Sequence, residues 1–313
     1  MMLYAVVAQW IEHLSTEQKV RGSSPCDCAK MILTSGKAYV DIDAYASCLA
    51  YRELLLAQGK QAVAVSNAPF AKSISKTIQK IPLEFDSYTI TIGDQFIVLD
   101  VSDPTHIDSN ITHKNIIELI DHRSGHEKFW QERIGDRATI IKIGAVATVV
   151  YEKYKAANIT PTKDICKLLV AAIVDNTLNS KARITTKRDT DALNSLMEIG
   201  GLTKQWIDDY LQECEQAILS DLVDAIKVDT KAFNDPQLPK KLGQIMIFDH
   251  KNLDGRSNEI AKAFEGCDNW AMNVIALKDG ISYIHNPQGI RKIEPCSLRK
   301  EIFELVKNGF FKF

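Results

Sequence analysis

Short apolar runs alternate with helical patterns along most of this chain, and that alternation constrains the fold more than any other feature of the sequence. The runs that predict strands are residues 38–40, 61–66, 96–101, 116–120 and 138–143, with helical patterns between them. Alternation of this kind is typical of a doubly wound, mainly parallel sheet. The sequence therefore predicts an α/β fold with such a sheet in its N-terminal part.

A second series of strands and helices follows a purely helical stretch at residues 188–224. Its predicted strands lie near residues 243–248 and 271–276, and its predicted helix covers residues 297–307. A chain of 313 residues is long enough for two domains. We predict a larger domain at residues 31–215 and a smaller α/β domain at residues 216–313, with the active site in the cleft between them.

Two acids stand where the first predicted strand becomes a helix. Asp41 and Asp43 follow the apolar run at residues 38–40, and the helical pattern begins at Ala44. Ligands of open α/β sheets gather outside the carboxyl ends of the strands. Because two neighbouring carboxylates repel each other and no local side chain neutralises both, this position favours a bound cation.

Acids recur at the ends of other predicted elements. Asp100 ends the third strand, Asp121 and His122 end the fourth, and Asp175 ends a helical segment. A single aspartate after a strand is more often a helix cap or a turn former, and a single histidine is more often a packed or rim residue. Because acids recur at the ends of several elements, we nevertheless expect these side chains to lie together in one crevice. Carboxylates with one imidazole suit Mn²⁺ or Mg²⁺.

Composition narrows the range of partners. The net charge of -2 excludes a broad basic surface and disfavours large nucleic acids as partners. The seven cysteines are scattered, show no zinc-binding spacing and suit reduced thiols in a cytoplasmic protein. No apolar run is long enough to span a bilayer, so no membrane partner is expected.

The first thirty residues differ from the rest of the chain. Residues 7–13 followed by residues 22–25 look like the peptides that arise when a transfer-RNA gene is translated. We expect the native protein to start at Met31, which makes residues 1–30 a spurious or disordered extension.

Five motifs, in this order, carry a resemblance to a known superfamily. They are residues 40–44, 99–100, 120–123, 144–148 and 174–177. The set resembles the DHH phosphoesterases, named for an Asp-His-His motif, and is most similar to the family II, manganese-dependent inorganic pyrophosphatases and to the related exopolyphosphatases and prune proteins. The resemblance continues at residues 229–233 and 289–292 and covers essentially everything after Met31.

The resemblance implies a centre with two metal ions. Asp41 and Asp43 would each bind one ion, Asp100 and Asp175 would bridge the two ions, and His122 would bind the second. Asp121 would orient its neighbours. The implied cofactor is Mn²⁺, with Mg²⁺ or Co²⁺ as alternatives.

The resemblance also implies a grip on phosphate oxygens by Lys231, Arg291 and Lys292, which would otherwise read as solvated surface charges. Arg123 stands where many members have a second histidine, and prune proteins likewise read Asp-His-Arg. Lys37 is a departure, because it replaces the histidine that binds the first metal in the family. The first metal is then weakly held, or Lys37 replaces part of its charge, or the site has another use.

The expected function is hydrolysis of a phosphoanhydride, namely pyrophosphate or short polyphosphate, by metal-activated water. The expected partner is a small phosphorylated substrate, and the resemblance implies a homodimer. Two other functions stay open at this point. One is a phosphodiesterase acting on short oligonucleotides or cyclic dinucleotides. The other is a catalytically reduced regulatory protein, to which the replacement at Lys37 points.

Overall fold

The computed structural model describes residues 30–91 and 93–313. Its first sheet has five strands, which are Met31–Thr34 (β1), Ala62–Ala64 (β2), Gln95–Leu99 (β3), Ile116–Asp121 (β4) and Ala138–Ile140 (β5). They are ordered β2-β1-β3-β4-β5, and every neighbouring pair is parallel. The prediction of a parallel α/β sheet is confirmed.

Helices cover both faces of this sheet, because alternate strand residues point to opposite sides. Leu33 and Ile97 point toward a core built by Ile42–Ala57 (α1) and four later helices, whereas Ile32 and Phe96 belong to a smaller core under Glu127–Ile134 (α3). A one-turn helix, Lys76–Gln79 (α2), lies between α1 and α3 in sequence. The four later helices are Val146–Ala156 (α4), Lys163–Asn176 (α5), Lys187–Gly200 (α6) and Lys204–Leu219 (α7).

The second sheet also has five strands, which are Thr230–Ala232 (β6), Lys241–Ile247 (β7), Trp270–Ala276 (β8), Ile281–Asn286 (β9) and Gly289–Ile293 (β10). Their order is β10-β9-β8-β7-β6, with only β7 and β8 parallel. Leu222–Val228 (α8) and Ser257–Ala263 (α9) pack on one face, and Arg299–Lys307 (α10) packs on the other. This is the smaller α/β unit expected after the helical stretch.

The two sheets are joined by a shared apolar core. Ile275, Leu277 and Cys296 come from the second unit, yet they are buried in the cluster that covers the first sheet. The link continues in Glu215 of α7, whose buried carboxylate accepts hydrogen bonds from the backbone N–H of Asp249 (3.1 Å) and the side chain of Asn252 (2.9 Å). The expected boundary near residue 215 falls inside α7 and stays a prediction.

One local prediction was wrong. The first strand is β1, not residues 38–40, which lie in a loop with one bridge between Val40 and Phe70. The physical reason is that Met31–Thr34 pairs on both sides, whereas a strand at residues 38–40 finds no continuous partner.

The proposed extension at residues 1–30 lies outside the described residues, apart from Lys30. Among the helices that are described, none combines the length and apolarity needed to cross a bilayer.

A buried histidine pair in the second unit makes stability depend on pH. Nε2 of His285 lies 3.0 Å from Nε2 of His250, and His285 is 6% exposed. Burial, and then the charge of His250, lower the pKa of His285 to about 4. A histidine whose pKa is lower in the folded state destabilises the fold when it takes up a proton. Its contribution is therefore present above pH 6.5 and is lost as the pH falls toward about 4.

We predict that His285→Gln removes up to about 3 kcal/mol of the change in unfolding free energy over this pH range. Denaturant unfolding at several pH values measures it. His113→Gln, at an exposed histidine, is the matched control and keeps the wild-type slope. If the unfolding free energy of His285→Gln changed with pH as steeply as that of the wild type, His285 would not be the source of the pH dependence.

Candidate metal and phosphate site

A cavity of about 430 Å³ opens at the carboxyl edge of the first sheet. The loops after β1, β3 and β4 line it because the carboxyl ends of parallel strands meet at one edge. The second unit contributes Lys231 of β6. The charged residues at its wall include Asp41, Asp100, Asp121, Arg123 and Lys231.

Asp43 is buried in the first turn of α1 and is held by the start of α4. Its two carboxylate oxygens accept the backbone N–H groups of Val146 and Ala147, each at 2.8 Å. These are unpaired donors at a helix N-terminus, where a negative charge is favoured. Burial nevertheless raises the pKa of Asp43 to about 7, and the charge of Asp41 adds to that shift. The carboxylate of Asp43 is therefore oriented by these hydrogen bonds, but its negative charge is not fully neutralised.

Asp100 directly follows β3 with a φ of 57°, in the left-handed region that few residues other than glycine adopt. Such strain is often found at functional sites. Burial raises the pKa of Asp100 well above its usual range, although Arg123 opposes this shift. Arg123 donates from Nη2 to Oδ2 of Asp100 at 3.1 Å.

His122 follows β4 and presents a bare ring nitrogen to Asp100. Its Nδ1 lies 3.1 Å from the carbonyl oxygen of Ile143, which assigns the proton to Nδ1. Burial, with Arg123 and Lys300, lowers the pKa of His122 to about 4, so the ring is neutral at neutral pH. Its Nε2 then carries a lone pair and lies 3.4 Å from Oδ1 of Asp100.

Asp43, Asp100 and His122 thus form a buried group whose ligand atoms lie within 4.8 Å of one another. Acceptor faces acceptor where Nε2 of His122 meets Oδ1 of Asp100, and the cation beside that oxygen is Nη1 of Arg123 at 3.0 Å. Two carboxylates with one imidazole held by a backbone carbonyl are a typical donor set for a divalent ion. The residues present fit a metal such as Mn²⁺.

Asp175 and Asp41 border this group without joining it at that distance. Oδ1 of Asp175, near the end of α5, is buried and finds no donor within the described part of the chain. Burial raises its pKa to about 8, with further contributions from Asp41 and Asp43. Asp41 caps α1, since its Oδ1 accepts the N–H of Ala44 at 3.0 Å. Their roles as metal ligands stay predictions.

Asp121 and Arg123 surround the group. Oδ1 of Asp121 accepts the N–H of His122 at 2.8 Å and Nη1 of Arg123 at 3.3 Å. This geometry suits the orienting role that was expected of Asp121. Arg123 keeps 43% of its side chain exposed, so it also faces the cavity.

The expected phosphate-binding residues separate into two places. Lys231 lines the cavity, whereas Arg291 and Lys292 do not. Arg291 donates to the carbonyl oxygen of Lys312 at 2.7 Å, and Lys292 lies over the ring of Tyr283. The physical reason is that β6 and β10 form opposite edges of the second sheet, about 19 Å apart at the usual strand spacing.

Sequence reasoning missed Lys300. Lys300 stands in the first turn of α10, where burial and Arg123 lower its pKa and Asp100 and Asp121 oppose that shift, so these charges are neighbours. The available signal was a second Arg-Lys pair at residues 299–300. Lys37 is exposed and does not itself line the cavity, although its neighbours Gly36 and Ala38 do, and its relation to the metal site stays a prediction.

A further acid, Asp189, fixes the chain segment whose N–H groups bind Asp43. Asp189 of α6 is buried, and its Oδ2 accepts the backbone N–H groups of Gly144 (2.9 Å) and Thr186 (2.8 Å), while its Oδ1 accepts the hydroxyl of Thr148 (2.6 Å). A Cβ atom on Gly144 would come within 2.8 Å of this carboxyl group. Asp189 therefore fixes the start of α4, whose N–H groups orient Asp43.

We predict that Asp189→Asn lowers Mn²⁺ affinity by about tenfold, at the lower end of the ~10–100-fold range for groups that support metal ligands. Titration calorimetry on the folded variant measures it. Asp191→Asn, two residues away, is the matched control, because Asp191 pairs with Lys187 at the surface. If a folded Asp189→Asn variant bound Mn²⁺ as tightly as the wild type, Asp189 would not support the metal site.

Comparison with known proteins gives distant relatives. No family model matches the chain. A Bacillus cereus (strain ATCC 10987 / NRS 248) protein named "Probable manganese-dependent inorganic pyrophosphatase" is 24% identical over 238 residues, 74% of this chain and 75% of that protein. A Bacillus mycoides (strain KBAB4) protein of the same name is 25% identical over 174 residues, 55% of this chain and 56% of that protein. The chain is a distant homologue of these proteins.

A solved structure shows the same fold. A Methanococcus jannaschii protein assigned provisionally to the family II inorganic pyrophosphatases superposes with a TM-score of 0.62 at 18% identity, covering 90% of this chain and 99% of that one. The chain thus shares its arrangement of two α/β units.

Proposed function

We propose that this protein is a divalent-metal-dependent hydrolase that cleaves the phosphoanhydride bond of pyrophosphate or short polyphosphate. The observation that carries the proposal is the buried group of Asp43, Asp100 and His122, in which the bare Nε2 of His122 faces Asp100, beside a cavity that Arg123 and Lys231 also line. The distant homologues named as manganese-dependent pyrophosphatases support the choice of reaction and of metal.

Asp43, Asp100 and His122 would hold the ion, with Asp175 as a further ligand. A divalent ion at this position supplies Lewis-acid activation of water and neutralises charge on the phosphoryl group. The protein sets the ligand directions beforehand. The start of α4 fixes the carboxylate of Asp43, and the carbonyl oxygen of Ile143 fixes the imidazole of His122.

Three cations would bind the phosphate oxygens. Arg123 offers a planar pair of donors from the first unit, which suits a phosphate group. Lys231 and Lys300 approach from the second unit, and burial lowers the pKa of each. Because these charges come from both units, substrate binding would draw the units together and exclude water from the cavity. Homodimer formation remains a proposal from the resemblance.

A direct comparison of substrates tests the proposal. Purified protein with Mn²⁺ is expected to release phosphate from pyrophosphate or tripolyphosphate and to leave a dinucleotide intact, with activity lost on adding a chelator. Turnover of the dinucleotide alone would identify a phosphodiesterase instead. No turnover of any substrate with Mn²⁺ or Co²⁺ would support the regulatory alternative.

We further predict that His122→Gln lowers pyrophosphate turnover by at least about 100-fold, because loss of a group that merely supports a ligand already costs ~10–100-fold. Phosphate release under saturating Mn²⁺ measures it. The surface variant His113→Gln keeps wild-type turnover. A His122→Gln enzyme with near-normal activity would remove His122 from the metal site.

A further inference from the structure

Arg123 occupies an unusual position for a residue expected to meet only substrate. Its guanidinium contacts acids that follow three different elements. Nη2 lies 3.1 Å from Oδ2 of Asp100 and 3.9 Å from Oδ2 of Asp41, and Nη1 lies 3.3 Å from Oδ1 of Asp121. Nη1 also donates to the backbone carbonyl oxygen of Asp100. The guanidinium is therefore built into the acidic centre.

Each carboxylate oxygen of Asp41 has a neighbouring group. Oδ1 of Asp41 caps α1 through the N–H of Ala44, and its Oδ2 faces Arg123. Asp100 meets Arg123 through both oxygens, since its Oδ2 accepts from Nη2 at 3.1 Å and its Oδ1 lies 3.0 Å from Nη1. The same Oδ1 lies 3.4 Å from Nε2 of His122, so Asp100 stands between a fixed organic cation and the bare imidazole nitrogen.

A second divalent ion between Asp41 and Asp100 would have to share oxygens with this guanidinium. Arginine stays protonated, so its charge cannot be removed to make room. Lys37, which stands where the resemblance expects a further histidine ligand, is exposed and is not among the residues that line the cavity. The side of the centre next to Asp41 thus has a cation and lacks a histidine ligand.

We propose that the guanidinium of Arg123 takes the place of one of the two expected metal ions, so that each chain binds a single Mn²⁺ ion at Asp43, Asp100 and His122. This inference rests on the proposed function for the kind of metal and deepens it by fixing the number of ions. Arg123 then neutralises Asp41 and part of the charge of Asp100 permanently, whereas the ion beside His122 exchanges with solution.

Metal counting tests the inference without reference to turnover. Wild-type protein, saturated with Mn²⁺ and freed of excess metal by gel filtration, is analysed by elemental mass spectrometry and by EPR. We expect one Mn²⁺ per chain and the spectrum of an isolated ion. Arg123→Gln removes the charge and is expected to bind two ions per chain, with the spectrum of an exchange-coupled pair. Arg123→Lys keeps a cation and is expected to stay at one.

The controls separate charge at this position from general effects. Arg188→Gln removes an arginine that pairs with Glu152 on the surface, and it is expected to keep one ion per chain. Circular dichroism establishes that each variant is folded. Should Arg123→Gln fail to fold, the Arg123→Lys and wild-type counts still decide, because two coupled ions in either would overturn the inference.

Two coupled Mn²⁺ ions in wild type, or one ion in a folded Arg123→Gln variant, would overturn the role of Arg123. These outcomes are distinct from failure of the proposed function. One ion per chain without pyrophosphate turnover would keep the role of Arg123 and refute the reaction. Two ions with turnover would do the reverse.

Discussion

Carboxylates buried without full compensation are the constraint on which the rest of this site depends. Removing an ionised carboxylate from water costs several kcal/mol unless it is paired or hydrogen-bonded. Asp43, Asp100 and Asp175 are all buried enough for their pKa values to rise. A fold that brings such groups together is stable in its charged form only with cations beside them, and both Arg123 and a divalent ion meet that requirement.

The fold positions the buried acids, and the groups that neutralise them, through a series of contacts. Parallel register places the residues after β1, β3 and β4 at one edge, and helix starts then supply N–H groups where strands cannot. Asp189 fixes the start of α4, and the start of α4 fixes Asp43. The second unit adds Lys231 of β6 to the cavity wall, and the shared apolar core joins that unit to the first. Site geometry and domain packing are therefore parts of one network.

Much of this could be predicted from sequence because it depends on local pattern. Asp100 and His122 follow apolar runs that are strands, so their convergence followed from sheet topology. Asp43 lies in the first turn of α1, as the helical pattern indicated, but the strand that precedes it is β1, seven residues upstream of the expected position. The apolar run at residues 38–40 mimics a strand, and only pairing partners distant in sequence distinguish the two.

The remaining features depend on strand order and helix packing, which cannot be predicted from local sequence patterns. Arg291 and Lys292 resemble phosphate-binding residues in sequence, but their strand is at the far edge of the second sheet. Lys300 reaches the site because α10 packs on the opposite face of that sheet. The hydrogen bonds of Asp189 join residues about forty positions apart, so spacing along the chain gave no sign of them.

Binding of a divalent ion between Asp43, Asp100 and His122 can be observed in crystals grown with Mn²⁺ and measured by anomalous diffraction at the manganese edge. We expect an anomalous peak within coordination distance of Nε2 of His122 and of carboxylate oxygens of Asp43 and Asp100. A crystal saturated with Mn²⁺ that shows no peak there, or a peak only elsewhere in the cavity, would contradict it.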